Sequence, residues 1–90
     1  MMFYLEPVHP GQILRHEVFS SQYVSVSKAA KAMKVSRQAL YNIMKEDAPT
    51  RVTVAMALRL GKYFGTTPHL WTNLQMAYDL WHAEEKLATA

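Results

Sequence analysis

SVSKAAKAMKVSRQALYNIM, residues Ser25 to Met44, divides into two short helical segments joined by a tight turn. Ser25 suits an N-cap, because its hydroxyl can accept from a backbone N–H that the first turn leaves unpaired. The helix after it is expected over Val26 to Met33, with Ala29, Ala30 and Met33 facing inward. Lys34 takes the turn. Ser36 then caps a second helix, expected from Arg37 to Lys45, whose Leu40, Ile43 and Met44 recur at helical spacing and face the core. Arg37, Gln38, Tyr41 and Asn42 are left pointing outward. Arginine pairs with guanine edges in the major groove, and glutamine and asparagine pair with adenine. Two helices in this arrangement, with those side chains at the exposed start of the second, have the layout of a helix-turn-helix that reads duplex DNA.

Charge points the same way. Between Val18 and Lys45 lie Lys28, Lys31, Lys34, Arg37 and Lys45, and no aspartate or glutamate. The whole chain carries a net charge of only +3, so the bias marks a surface more than a polybasic protein. Lysines there would contact phosphates, which position a protein on DNA without specifying sequence. Any one of them alone reads equally well as a solubilising side chain. The candidate DNA-binding residues are Ser25, Lys28, Ser36, Arg37, Gln38, Tyr41, Asn42 and Lys45.

Outward from this core, the periodicity gives an all-α domain of five helices, the second and third forming the helix-turn-helix. Residues 1–9 read as an extended N-terminal arm. Pro10 suits the first position of a helix, where its missing donor costs nothing, and that helix is expected to run to about Ser20 with Ile13, Leu14 and Val18 inward. A break follows at Ser20-Ser21-Gln22. Glu46 to Arg51 forms a polar loop interrupted by Pro49. Thr53 caps a fourth helix ending near Phe64, with Met56, Ala57, Leu60 and Phe64 as its buried stripe and Gly65 as its C-terminal glycine. Thr67-Pro68 starts the fifth and longest helix, expected to about Lys86, with Leu87 to Ala90 frayed.

The fifth helix is apolar over more than half its circumference: Leu70, Trp71, Leu74, Met76, Ala77, Tyr78, Leu80 and Trp81. A small domain can hardly bury so broad a face on one helix. Trp71 and Leu74 are expected in the core, held there by the short Gly65-Thr66 connection. Tyr78 and Trp81, one to two turns further on, are expected to pass beyond the compact body and form a twofold interface. A homodimer would let two copies of the third helix address a palindrome.

The totals exclude other classes. Ninety residues, half of them hydrophobic, make one small domain with a packable core, and no internal repeat or linker suggests a second. The absence of cysteine removes disulfides and thiolate metal sites. The N-terminus MMFYLEPVHPGQ lacks the basic and long apolar regions of a signal peptide, and no apolar run approaches the roughly 18 residues of a membrane span. A cytoplasmic protein is expected. His9, His16, His69 and His82 are scattered singly, none at ligand spacing with another, so neither a metal site nor another cofactor is expected. The glycines at 11, 61 and 65 form no phosphate-binding loop. Glu84 and Glu85 read as a solvated helix end rather than an acid–base pair. No residue set supports catalysis.

With these residues in view, the chain resembles the HigA-type antitoxins of the lambda-repressor-like (XRE-type) helix-turn-helix family. The resemblance runs from about His9 to Trp81. It rests on HPGQIL (9–14), VSRQAL (35–40) and above all MALRLGKYFGTTPHLWTNLQMAYDLW (56–81). It implies a lambda-repressor-like domain and a cytoplasmic dimer that represses its own operon from a palindromic operator. It also implies a partner, a HigB-type toxin that cleaves mRNA on the ribosome and is held inactive by the antitoxin. The family's capping and base-reading positions fall on Ser36, Arg37, Gln38 and Asn42, and its phosphate-contacting start of the second helix falls on Ser25.

Two departures stand out. KEDAPTR (45–51) replaces a short basic turn with a longer loop that is acidic at Glu46 and Asp47. Lys34 replaces a turn glycine, which predicts a positive φ at a small conformational cost. Two other roles fit the same fold: a stand-alone transcriptional regulator without a toxin, and a protein-interaction module that has lost DNA binding.

Overall fold

The computed structural model describes residues 6–20 and 25–89 of the chain. The expected N-terminal arm is therefore described only from Glu6, and the break at 20–22 only at Ser20. Among the described residues every regular element is helical: α1 (Pro10–Ile13), continued by a π-helical stretch over Leu14–Val18, then α2 (Val26–Met33), α3 (Arg37–Ile43), α4 (Val54–Phe64) and α5 (Pro68–Thr89). No helix among them is long and apolar enough to cross a membrane.

The caps follow from side-chain chemistry. Ser25, Ser36 and Thr53 hold extended backbone and accept from the N–H three residues on, in Lys28, Ala39 and Met56. The first helix is capped by His9, whose Nδ1 accepts from Gly11 N at 2.9 Å ahead of Pro10 at the first helical position. It does not run on as a regular α-helix. Phe19 N donates to Leu14 O at 2.7 Å, five residues back, and so widens the last turns.

Two helices end in a left-handed residue. Lys34 has φ 60° and ψ 42°. Val35 N reaches back to Ala30 O at 3.0 Å and Lys34 N to Lys31 O at 3.2 Å, the paired bonds of a Schellman motif. The positive φ expected there is thus present on a lysine. Gly65, at φ 71°, ends α4 in the same way, with Thr66 N bonded to Gly61 O at 3.0 Å.

Leu14 of the π-helical stretch, Leu40 of α3 and Leu60 of α4 are fully buried in one core, joined by Ala29, Ala30, Met33, Ile43, Met44, Val52, Ala57 and Trp71. Ile13, Val18, Met56, Phe64 and Leu74 pack around this centre while only partly buried. Two polar bonds fix the helices around it. Arg59 of α4 donates through Nη1 to Met33 O at 2.6 Å, which places a cation on the C-terminal carbonyls of α2. Buried Gln75 of α5 accepts from Val52 N at 2.7 Å and donates to Asp79 Oδ1 at 3.0 Å, and Asp79 pairs with Arg51 at 2.7 Å. The chain entering α4 is therefore tied to α5.

Two helix ends and one packing arrangement differ from expectation. α3 stops at Ile43, and Met44 N bonds Leu40 O and Tyr41 O at 3.1 Å, so Lys45 lies beyond the helix. α5 continues through Thr89, whose hydroxyl donates back to Glu85 O at 3.1 Å, so Leu87 and Ala88 are helical rather than frayed. Tyr78 and Trp81 do not stand clear of the body. Tyr78 meets the His9 ring edge-on at a centroid distance of 4.8 Å, and both aromatics are half-buried. The segment before α1 folds back over α5 and occupies the space that the helix was expected to outrun.

Candidate nucleic-acid interface

The Ser36 hydroxyl fixes where α3 begins, accepting from Ala39 N at 3.0 Å. The side chains of its first turn are thereby presented on the outer surface. Arg37 and Gln38 are exposed, and Tyr41, one turn on, is 49% exposed. Asn42 is half-buried, and its backbone carbonyl accepts from Thr50 N at 3.0 Å, which anchors the following loop to the end of α3. The four outward residues expected on this helix therefore lie along one accessible face, with Leu40 and Ile43 opposite them in the core.

Their polar ends are already oriented. Gln38 Nε2 donates to Asn42 Oδ1 at 2.8 Å, a pairing one helical turn apart. Arg37 Nη1 donates to Ser27 Oγ of α2 at 3.3 Å. Gln38 keeps its amide oxygen, and Asn42 its amide nitrogen, free for an adenine edge, which asks for one acceptor and one donor. Arg37 spends one of five N–H groups on Ser27 and retains a fork for guanine. Ser27 was not singled out in the sequence. Its position ten residues before Arg37 becomes meaningful only once the two helices cross.

Cations border this face. Lys28 and Lys31 of α2, Lys34 in the turn and Lys45 after α3 are all exposed. Ser25 is exposed at the start of α2, where its hydroxyl is used on Lys28 N at 3.3 Å. Between the π-helical stretch and α3 runs an apolar groove lined by Arg15, His16, Phe19, Val26, Tyr41, Met44 and Lys45. Arg15 pairs with Glu46 at 2.8 Å. One of the two acids that set this loop apart from the family pattern is thus paired from the π-helical stretch, which the linear order of residues does not reveal.

His9 lies between the loop after α3 and Tyr78 of α5, in a cleft that Glu46 and Pro49 also line. It is 4% exposed, and Nε2 is buried without a hydrogen-bond partner. Burial pushes its pKa below the usual histidine value, against the opposite pull of the Asp79 carboxylate and the Thr50 backbone. The neutral ring, with Nδ1 free to accept from Gly11, is the form the cap requires. Its role is structural.

No protein-family model matches the chain. Among individual proteins, it is 41% identical over 78 residues to virulence-associated protein I of Dichelobacter nodosus, covering 87% of this chain and 70% of that one. It is 30% identical over 80 residues to antitoxin HigA-1 of Vibrio cholerae, covering 89% of this chain and 73% of the relative. Its backbone matches the Pseudomonas aeruginosa antitoxin HigA, solved with the higBA promoter, at a TM-score of 0.81 with 36% identity, over 92% of this chain and 88% of that one.

Proposed function

This chain belongs to the HigA family of helix-turn-helix antitoxins, and we propose that it binds an operator in its own promoter, represses that operon and holds a HigB-type toxin inactive. The observation that carries the DNA reading is the accessible face of α3, where Arg37, Gln38, Tyr41 and Asn42 stand together with Gln38 and Asn42 already hydrogen-bonded. In this reading Arg37, Gln38 and Asn42 address base edges in the major groove, and Tyr41 packs against them. Ser25, Lys28, Ser36 and Lys45 lie against phosphates. The site of action is the cytoplasm, where the operator and a ribosome-dependent toxin are both found. The whole chain acts as one DNA-binding domain.

A palindromic operator calls for two copies, and we place the contact on the apolar side chains that the fold leaves open. Tyr78 and Trp81, the anchors expected from sequence, are half-buried within the chain. Met76 and Leu80 of α5 are 60% and 55% exposed, and Val54 and Leu58 of α4 are 69% and 55% exposed. Val54 and Met76 line the same groove, and Leu58 and Leu80 each lie one turn along from them. The contact would centre on the Val54–Met76 groove, with Leu58 extending it along α4 and Leu80 extending it along α5.

The test of base reading is a titration of the protein's own promoter fragment against scrambled duplex at several salt concentrations. Wild-type protein should prefer the promoter, with affinity falling as salt rises. Arg37→Ala should weaken promoter binding by about 1–3 kcal/mol and flatten preference at one base pair of each half-site. Unchanged affinity and preference would remove α3 as the reader.

A further inference from the structure

Glu6, His82 and Glu85 are far apart in sequence and meet where the extended segment before α1 lies against the last turns of α5. One ligating atom from each lies within 4.8 Å of the other two. The His82 ring stands between the carboxylates, with Nδ1 3.2 Å from Glu85 Oε1 and Nε2 3.9 Å from Glu6 Oε1. Tyr78 backs the ring at a centroid distance of 4.3 Å.

The surroundings are arranged for a cation. The cleft that holds Glu6 and His82 is lined also by His9, Gln12, Glu46 and Tyr78, with no lysine or arginine among its lining residues. Glu46 is engaged by Arg15. Among the described residues, Glu6 and Glu85 form ion pairs only with His82. The wall also contains the 4% exposed His9.

We propose that this cluster binds a divalent transition-metal ion, zinc foremost, through one ring nitrogen of His82 and the carboxylates of Glu6 and Glu85, with water completing the coordination. One imidazole and two carboxylates suit zinc, whereas calcium and magnesium prefer all-oxygen shells. Ligand bonds of roughly 2.0–2.2 Å require the ligating atoms to draw in to roughly 3.3 Å of one another. Both glutamates are exposed, so side-chain rotation alone can achieve this. The second ring nitrogen stays available as a donor to a neighbouring acceptor, the arrangement that orients metal-bound histidines. The ion would clip the segment at Glu6 to α5, closing a loop that spans most of the chain, and its binding energy would add to the stability of the folded state.

The test uses the full chain, freed of metal by a chelator and titrated calorimetrically with zinc chloride alone near pH 7.5, with parallel thermal melts. The expected result is one site per chain and a Tm that rises with free zinc. Magnesium and calcium should give neither effect. His82→Ala and Glu85→Gln should each weaken zinc binding by about tenfold or more, the size seen when ligand-sphere groups are removed. His16→Ala and His69→Ala, changing histidines elsewhere on the surface, should not. Glu85→Gln changes an exposed side chain and keeps its size, so it serves if His82→Ala folds poorly. Three results would overturn the proposal: no zinc binding by the wild type, equal binding by the Glu85 variant, or equal loss in the His16 variant. The cluster would then only clamp the segment at Glu6 to the end of α5 through His82.

Discussion

His9 illustrates how far one side chain's meaning depends on its surroundings. It is a cap acceptor for α1, an aromatic partner for Tyr78 and a buried titratable group. Burial lowers its folded pKa from the usual histidine value, so the unfolded chain takes up a proton first as pH falls. Its contribution to stability is then complete above about pH 6.5, is lost as pH falls through the unfolded pKa, and levels off below the folded one. Urea denaturation between pH 8 and pH 5 should show that loss in the wild type. His9→Asn, which keeps a cap acceptor but does not titrate, should show a shallower decline. Equal slopes in the two proteins would mean that His9 is not the group responsible.

At the scale of elements, two backbone positions set how the helices meet. Lys34 holds a left-handed conformation that costs an L-residue about 1–2 kcal/mol, partly offset because glycine has more chain entropy to lose on folding. Lys34→Gly should therefore stabilise the protein by about 0.5–1 kcal/mol, read as a raised Tm. It should also leave promoter preference unchanged, since Lys34 is not among the base-reading side chains. A lower Tm would show that the Lys34 side chain contributes more than its backbone strain removes. Gly11 is the opposite case. A Cβ there would lie 1.8 Å from Ile43 O, because α1 rests directly on the end of α3. Gly11→Ala should cost about 3 kcal/mol or more, or prevent folding, since the clash is with backbone rather than a movable side chain. A Tm within a degree or two of wild type would show that α1 can shift without penalty.

For the whole molecule, the central question is which apolar surface meets a second copy. Leu80→Glu should yield a folded monomer in sedimentation at micromolar concentration, with operator affinity sharply reduced, because two linked half-sites bind far more tightly than one. Trp81→Glu should instead lower Tm, because Trp81 is half-buried within the chain. A dimer that survives Leu80→Glu, or a Trp81→Glu protein that is both stable and monomeric, would return the interface to the face first expected from sequence.

Much was determined by local chemistry. The caps at Ser25, Ser36 and Thr53, the start at Pro68 and the glycine at the end of α4 each act within a few residues, so each is legible in a linear string. The inward sets Ala29, Ala30, Met33 and Leu40, Ile43, Met44 follow from helical period alone, and so does the accessible face of α3. What depended on distant segments could not be read that way. The contact of Tyr78 with His9, the Arg37–Ser27 and Arg15–Glu46 pairs, and the meeting of Glu6 with His82 and Glu85 all arise where separate elements cross. Periodicity tells which side of a helix is apolar. Only the packed chain decides which part of that side another segment covers, because burial depends on what arrives from elsewhere, and that is why Trp71 of α5 is in the core as its period predicts while Tyr78, met by His9, is more covered than its place along the helix suggests.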